Sequence, residues 1–154
     1  MGLKQGFRGW WIALLAALAD RLTKRLVARL YPRGGALIPG LLNLRPVENR
    51  GVAFSMFSGQ GLGLTLFTAA LIAGIVGWLA THPRAPKLLR TGLWLIAGGG
   101  LGNLYDRLTT GGVYDFIELA FMRFAVFNLA DICICVGAAL VLLAALKGEI
   151  RDGK

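Results

Sequence analysis

The sequence predicts an integral membrane, all-α bundle of four transmembrane helices, topped on its outer side by a small β-like cradle and a second outer loop or helix. Three observations lead there. Hydrophobic residues supply 56% of the 154 residues and charged residues only 16%, far from the balance of a water-soluble domain. Four apolar stretches approach the roughly 20 residues needed to cross a bilayer. Gly supplies 22 residues, including the run Gly98-Gly99-Gly100, which suits helices packed closely without water between them. At this length the chain is expected to form one membrane domain, 1–154.

The first span is expected near 10–29, within WWIALLAALADRLTKRLVARLY. Its helical pattern continues through Leu22, Leu26, Val27 and Leu30, with Arg21, Arg25 and Arg29 on another face. The leading half also has the makeup of a secretory leader: Lys4 and Arg8, an apolar core, then Ala17-Leu18-Ala19. Cleavage after Ala19 is therefore the alternative. Residues 32–60 form a long outer segment in which Pro32, Pro39 and Pro46 exclude a continuous helix. Its short apolar runs between Gly and Pro point to brief strands or an interfacial platform. Further spans are expected near 61–80, 88–107 and 127–146. Between the last two, about 108–126, aromatic, acidic and apolar residues alternate, and this segment too is expected on the membrane surface.

An even number of spans puts both termini on one side. That side collects Lys4, Arg8, Arg84, Lys87, Arg90, Lys147, Arg151 and Lys154 against Glu149 and Asp152. The other side holds nine basic residues, four of them at the end of the first span, and six of the eight acids, and this balance favours cytoplasmic termini. The net charge of +9 then belongs to headgroups and topology. Nucleic acid is not expected as a partner, because the basic residues flank apolar runs instead of building a solvated basic face. Cys133 and Cys135 lie inside the last span and point to opposite sides of a helix, so they neither bridge nor readily share a metal. They read as small apolar core residues.

The polar residues of the spans fall at one level. Asp20, Lys24, Asn49, Asn103, Asp106, Arg107, Asp115, Asn128 and Asp131 all lie in the outer half in this topology. Charges at membrane depth tend to face the bundle interior, pair with one another and mark function. Each also has a plainer reading. Asp20 and Lys24 are spaced for an intrahelical ion pair, and Asn103 and Arg107 for tying a helix end to carbonyls or headgroups. Asn49 suits a turn. Asn128, with an acid three residues later, suits a capping box at the positive end of a helix. Asp115, between Val113-Tyr114 and Phe116-Ile117, is either a solvated loop acid or one half of a carboxylate pair with Asp131.

The inventory excludes much chemistry. The single histidine, His82, sits in the basic loop on the far side. No Cys/His/acid group has metal-ligand spacing, no GxSxG is present, and the glycine run lacks the Lys-Ser/Thr of a phosphate loop. No metal or cofactor is expected. A pair of aspartates remains. Two carboxylates about 3 Å apart share one proton. The ionised one takes a proton from water, while the protonated one polarises a carbonyl and then protonates the leaving nitrogen. Asp131, at a helix start, is the more readily ionised member. A proton-coupled carrier is a competing class, opposed by the nearly apolar inner halves of the spans. A non-catalytic assembly subunit with Gly-rich faces is another.

Five motifs, in order, resemble those of the lipoprotein signal peptidase (signal peptidase II) family over about residues 10–146. They are D-R-L-T-K at 20–24, E-N-R-G-V-A-F-S at 48–55, G-G-x-x-G-N-x-x-D-R at 98–107, V-Y-D-F at 113–116 and F-N-L-A-D at 127–131. The resemblance implies an aspartyl endopeptidase of the bacterial inner membrane with its site near the outer face. Its partners would be a prolipoprotein signal peptide with a diacylglyceryl cysteine and the membrane lipids, cut on the N-terminal side of that cysteine, with monomer as the default state. On matching positions Asp115 and Asp131 would be catalytic. Asn49, Gly99, Asn103, Arg107, Asn128 and Ala130 would line or support the site, Asp20 and Lys24 would brace it, and segment 32–60 would form the cradle. The chain departs from the family pattern at Val52, commonly a small Ala, and at Ala125, often Pro.

Overall fold

The computed structural model describes residues 7–51 and 61–148. In chain order these form α1 (Trp10–Leu30), β1 (Gly35–Ile38), β2 (Leu42–Asn49), α2 (Gly61–Thr81), α3 (Lys87–Thr110), β3 (Val113–Leu119) and α4 (Leu129–Leu146). Val52, the rest of 52–60 and the terminal residues Lys4, Glu149, Arg151, Asp152 and Lys154 lie outside the described residues.

The helices bury small side chains and expose large ones, the reverse of a water-soluble bundle. On α1 the inward stripe is Ala13, Ala16, Asp20, Lys24 and Val27, stepping three or four residues at a time. Leu14, Leu15, Leu18 and Leu22 point outward. Both α2 and α4 are long and apolar enough to cross a membrane. Helices α1 and α3 match them in length but carry the charged residues described below.

Helix α3 is the hub and packs against the other three. Glycine makes this possible. A Cβ on Gly98 would lie 2.6 Å from the carbonyl oxygen of Ala13 on α1, and one on Gly92 would lie 2.6 Å from that of Gly137 on α4. Backbones therefore meet where side chains would otherwise hold them apart. At the far end Leu79, Ile75, Trp94, Ala97 and Ala13 form a core. There Trp94 Nε1 donates to the Arg8 carbonyl at 3.1 Å, tying the start of α1 to α3.

The three strands form one antiparallel sheet in the order β1-β2-β3. Gly40, at φ 75°, supplies the left-handed residue that the β1–β2 turn requires. Central strand β2 contains Pro46, which cannot donate to a ladder. The β2–β3 register accordingly shifts between Leu44 and Val47. Val27 of α1, Leu44 and Phe116 pack together and seat the sheet on the bundle.

Two expectations are corrected. Within 108–126, expected as an outer loop or helix, residues Val113–Leu119 form strand β3. Its run of Val, Tyr, Phe and Ile favours an extended chain, and the open edge of β2 supplies the partner. The cysteines are not core residues: Cys135 is exposed and Cys133 half-buried. The buried residues of α4 are Ala130, Gly137 and Ala144, which leaves the cysteines on other faces. His82 is exposed and stacks on Trp78 with ring centroids 4.2 Å apart.

Candidate active site

Strand β3 and the start of α4 are brought together by the chain between them. Phe127 pairs with Ile117: the Ile117 N–H donates to the Phe127 carbonyl at 2.8 Å, and the reverse bond is 3.1 Å. This pairing sets Asn128 beside Asp115. Asn128 is wholly buried, and every group of its amide is used. Its Nδ2 donates to Asp115 Oδ1 at 2.7 Å and to Asn103 Oδ1 at 3.0 Å. Its Oδ1 accepts from the Asp131 N–H at 3.0 Å, while Asp131 Oδ2 accepts from the Asn128 N–H at 3.1 Å. The capping box is therefore present. It leaves Asp131 Oδ1 to accept from Asn103 Nδ2 at 2.8 Å. Capping and a place in the cleft are not alternatives for Asp131; one residue has both.

Asp115 is 3% exposed. Its second oxygen accepts from Asn49 Nδ2 at 2.9 Å. Asn49 in turn accepts from the Gly51 N–H at 3.0 Å, so it makes its turn and reaches the acid at once. Burial pushes the Asp115 carboxyl up to about 6, and the nearby Asp131 charge pushes the same way. Hydrogen bonds from Asn49 and Asn128 hold it back from rising further.

Behind this pair lies a buried charge cluster. Lys24 Nζ donates to Asp106 Oδ2 at 2.7 Å, Asp20 Oδ2 at 2.8 Å and Asn103 Oδ1 at 3.3 Å, which engages all three of its hydrogens. The Asp20–Lys24 pair expected from spacing is thus one arm of a wider network. Asp20 Oδ1 accepts from the Ala130 N–H at 3.0 Å, fixing the first turn of α4. Gly99 and Gly102 make room for this approach: a Cβ on Gly99 would meet the Ala130 carbonyl oxygen, and one on Gly102 would lie 2.6 Å from Asp20 Oδ2.

Asp106 belongs to this network and is absent from the site residues expected from sequence. It is buried, accepts from the Tyr114 N–H at 3.2 Å and pairs with Arg21 Nη1 at 3.5 Å. It therefore ties α1, α3 and the residue preceding Asp115. The available signal was an acid between Asn103 and Arg107 at membrane depth. Arg107 itself lines the cleft.

Asp115 and Asp131 open into one cavity of about 510 Å³. Asn49, Asn103 and Arg107 complete its polar end, and Phe124, Phe127, Ile132, Cys135 and Val136 are among its apolar walls. Ile132, Cys135 and Val136 follow Asp131 at helical spacing, a signal readable from sequence once Asp131 is placed in the cleft. A water and a polarised carbonyl would meet two acids here, with a greasy chain held alongside.

A helical bundle with two candidate membrane spans, roofed by a small sheet and holding two carboxylates over an apolar cleft, has the architecture of an aspartic-type peptidase built into a membrane. Comparison with known proteins agrees. The family described as signal peptidase (SPase) II matches residues 12–147. The chain is 36% identical over 141 residues to the lipoprotein signal peptidase of Thermosynechococcus vestitus, covering 88% of this chain and 89% of that one. It is 40% identical over 146 residues to that of Chlorobaculum tepidum, covering 86% and 90%. Two solved structures, described as bacterial membrane enzymes obtained by the in meso method, share its fold. One has a TM-score of 0.83 at 27% identity, covering 92% of this chain and 89% of that one. The other has a TM-score of 0.80 at 28% identity, covering 89% and 91%. The chain belongs to the signal peptidase II family: it is an aspartic-type peptidase, a hydrolase, and a bacterial membrane protein.

Proposed function

We propose that the protein removes the signal peptide from prolipoproteins, cutting on the N-terminal side of a diacylglyceryl-modified cysteine, with Asp115 and Asp131 as the catalytic pair. One observation carries the reading: both acids face the same apolar cleft, joined through a single buried amide, Asn128.

Asp115, whose surroundings favour its protonated form, donates a hydrogen bond to the scissile carbonyl oxygen. Asp131 takes a proton from water as the water oxygen bonds to the carbonyl carbon. The tetrahedral adduct then collapses. The C–N bond breaks, the leaving nitrogen takes the Asp115 proton, and the pair regains one shared proton from Asp131. Asn49, Asn103, Asn128 and Arg107 hold the carboxylates and the excess charge in place. Lys24, Asp20, Gly99 and Ala130 set the spacing of α1, α3 and α4 behind them.

The substrate chemistry suits the place. A signal peptide is an apolar helix whose carbonyls are already hydrogen-bonded, so it must unwind locally before cleavage. The sheet over the cleft is placed to clamp the unwound stretch. The apolar cleft walls suit acyl chains, whose burial is worth about 0.8 kcal/mol per CH₂. In this reading all four helices cross the bacterial inner membrane as a monomer, with cytoplasmic termini and the cleft near the outer face. The outward leucines of α1 and the apolar faces of α2 and α4 support that arrangement.

The test is cleavage of a diacylated prolipoprotein by the purified protein in detergent. Asp115→Asn and Asp131→Asn should each abolish turnover while the protein keeps its unfolding transition. Full activity in either variant removes the pair from the mechanism. Equal cleavage of the unlipidated precursor removes the lipid requirement.

A further inference from the structure

The sheet carries a second polar feature, which adjoins the cleft at Phe124. Two adjoining depressions, of about 380 and 530 Å³, share Asn43, Arg45 and Glu118 as lining. Arg33 lines the first and Arg123 the second. Together they form one trough with an arginine at each end and a third in the middle. Among the described residues only the middle one is neutralised: Arg45 Nη1 meets Glu118 Oε1 at 2.9 Å, and Asn43 Nδ2 donates to Glu118 Oε2 at 3.2 Å. Among the described residues no carboxylate pairs with Arg33 or Arg123.

The borders of the trough are apolar. Phe121 is 60% exposed and Met122 48%, and both line its Arg123 end. Leu37 and Ile38 are exposed on the edge strand β1, directly after the trough residue Ala36. Unpaired guanidinium groups beside projecting large apolar side chains match an interface where phosphates lie just above acyl chains. Arginine suits phosphate because its planar fork donates two parallel hydrogen bonds. In the topology proposed above these arginines lie on the outer side, against the usual cytoplasmic excess of positive charge. A local anionic partner accounts for them.

We propose that this trough binds the phosphate-bearing headgroup of an anionic phospholipid of the surrounding leaflet, with Arg33 and Arg123 as its free cations. The bound lipid docks the sheet onto the membrane surface beside the cleft. Phe121 and Met122 enter the acyl region as the headgroup seats.

The protein in neutral detergent, titrated with phosphatidylglycerol or with phosphatidylcholine of the same acyl chains, tests this by native mass spectrometry. Wild type should retain phosphatidylglycerol about fivefold or more over phosphatidylcholine, and Arg33→Gln/Arg123→Gln should reduce that to below about twofold. The control pair Arg84→Gln/Lys87→Gln, in the α2–α3 loop and at the first residue of α3, should leave most of the preference in place. Equal retention of both lipids by wild type, an unchanged preference in the trough variant, or an equal loss in the control pair overturns the proposal. If the double variant does not fold, Arg123→Gln alone serves, with a partial loss expected and no loss refuting. The readout is lipid retention, so its outcome is separate from that of the peptidase reading.

Discussion

Asn128 donates one amide hydrogen to Asp115 across 2.7 Å while its own side-chain oxygen caps α4 by accepting from the Asp131 N–H in the first turn. The spacing of the two acids therefore depends on one side chain with two separable tasks. Asn128→Ser keeps an oxygen able to cap α4 but has no amide to span to Asp115. Asn128→Ala loses both. Ala should cost about 1 kcal/mol more stability than Ser, the usual worth of an N-cap. Both should lower kcat by about 100-fold or more, the scale of losing an oriented catalytic group. Thermal unfolding in detergent and cleavage kinetics measure the two effects. An Asn128→Ser protein with wild-type kcat would show that the bridge does not matter.

Lys24 satisfies two buried carboxylates at once, Asp20 and Asp106. Lys24→Met leaves Asp20 without a counter-ion and Asp106 with Arg21 alone, at 3.5 Å, and should destabilise by roughly 3–5 kcal/mol, the cost of breaking a buried ion pair from one side. Asp106→Asn removes one stranded charge yet keeps an oxygen for the Tyr114 N–H. The double variant Lys24→Met/Asp106→Asn should thus be more stable than Lys24→Met alone. A double-mutant cycle on unfolding free energies gives the coupling directly. Simple additivity would place the two residues in separate environments.

The Asp115 carboxyl sits near 6 in the folded protein against 3.8 for an unperturbed side chain, with burial the first cause. The folded state therefore holds this proton more tightly than the unfolded chain. Below 3.8 both forms are protonated and the group contributes nothing. As pH rises from about 4 to about 6 the unfolded chain ionises first, and folding loses up to about 3 kcal/mol. Asp115→Asn has no such loss. Its melting temperature relative to wild type should climb across that window and level off above it. Under the proposed mechanism activity follows the same proton: kcat/KM should decline above about 6, where Asp115 ionises. A flat difference in melting temperature from pH 4 to 7 would show that Asp115 is not held protonated by its surroundings.

Local signals were the legible ones. Apolar runs marked the helices, and the capping box was readable because Asn128 and Asp131 lie within one turn. The run Gly98-Gly99-Gly100 was readable as close packing, and at Gly98 and Gly99 nothing but glycine tolerates the facing carbonyl. Strand β3 was not legible, because its partner β2 lies far back in the chain and a buried Asp115 interrupts the alternation that marks a half-buried strand. The same long-range pairing hid the Asn128–Asp115 bond, which exists only because Phe127 joins Ile117. Asp106 stood among the polar residues of the outer half but not among the expected site residues, for a related reason: its partners Lys24 and Tyr114 lie on two other elements. The cysteines misled because an apolar neighbourhood in sequence does not say which side of a helix meets its neighbours.

Cys135 stands one helical turn beyond Asp131 on the cleft wall, and its side chain is exposed. A group attached to that sulfur would project into the space assigned to the peptide or an acyl chain under the proposed function. Alkylation with N-ethylmaleimide should therefore inactivate the protein, whereas Cys135→Ala should turn over at near the wild-type rate and resist the reagent. Cys133→Ala should remain sensitive, because Cys133 is not among the cleft-lining residues. Inactivation that persists in Cys135→Ala would move the sensitive thiol to Cys133. Complete alkylation of Cys135, seen as a mass shift without any loss of cleavage, would mean that the substrate does not pass along this wall. That outcome would confine binding to the side formed by Phe124 and Phe127. Protection of Cys135 by a saturating diacylated precursor should slow alkylation about tenfold at 10 Kd of that precursor, as simple occupancy requires.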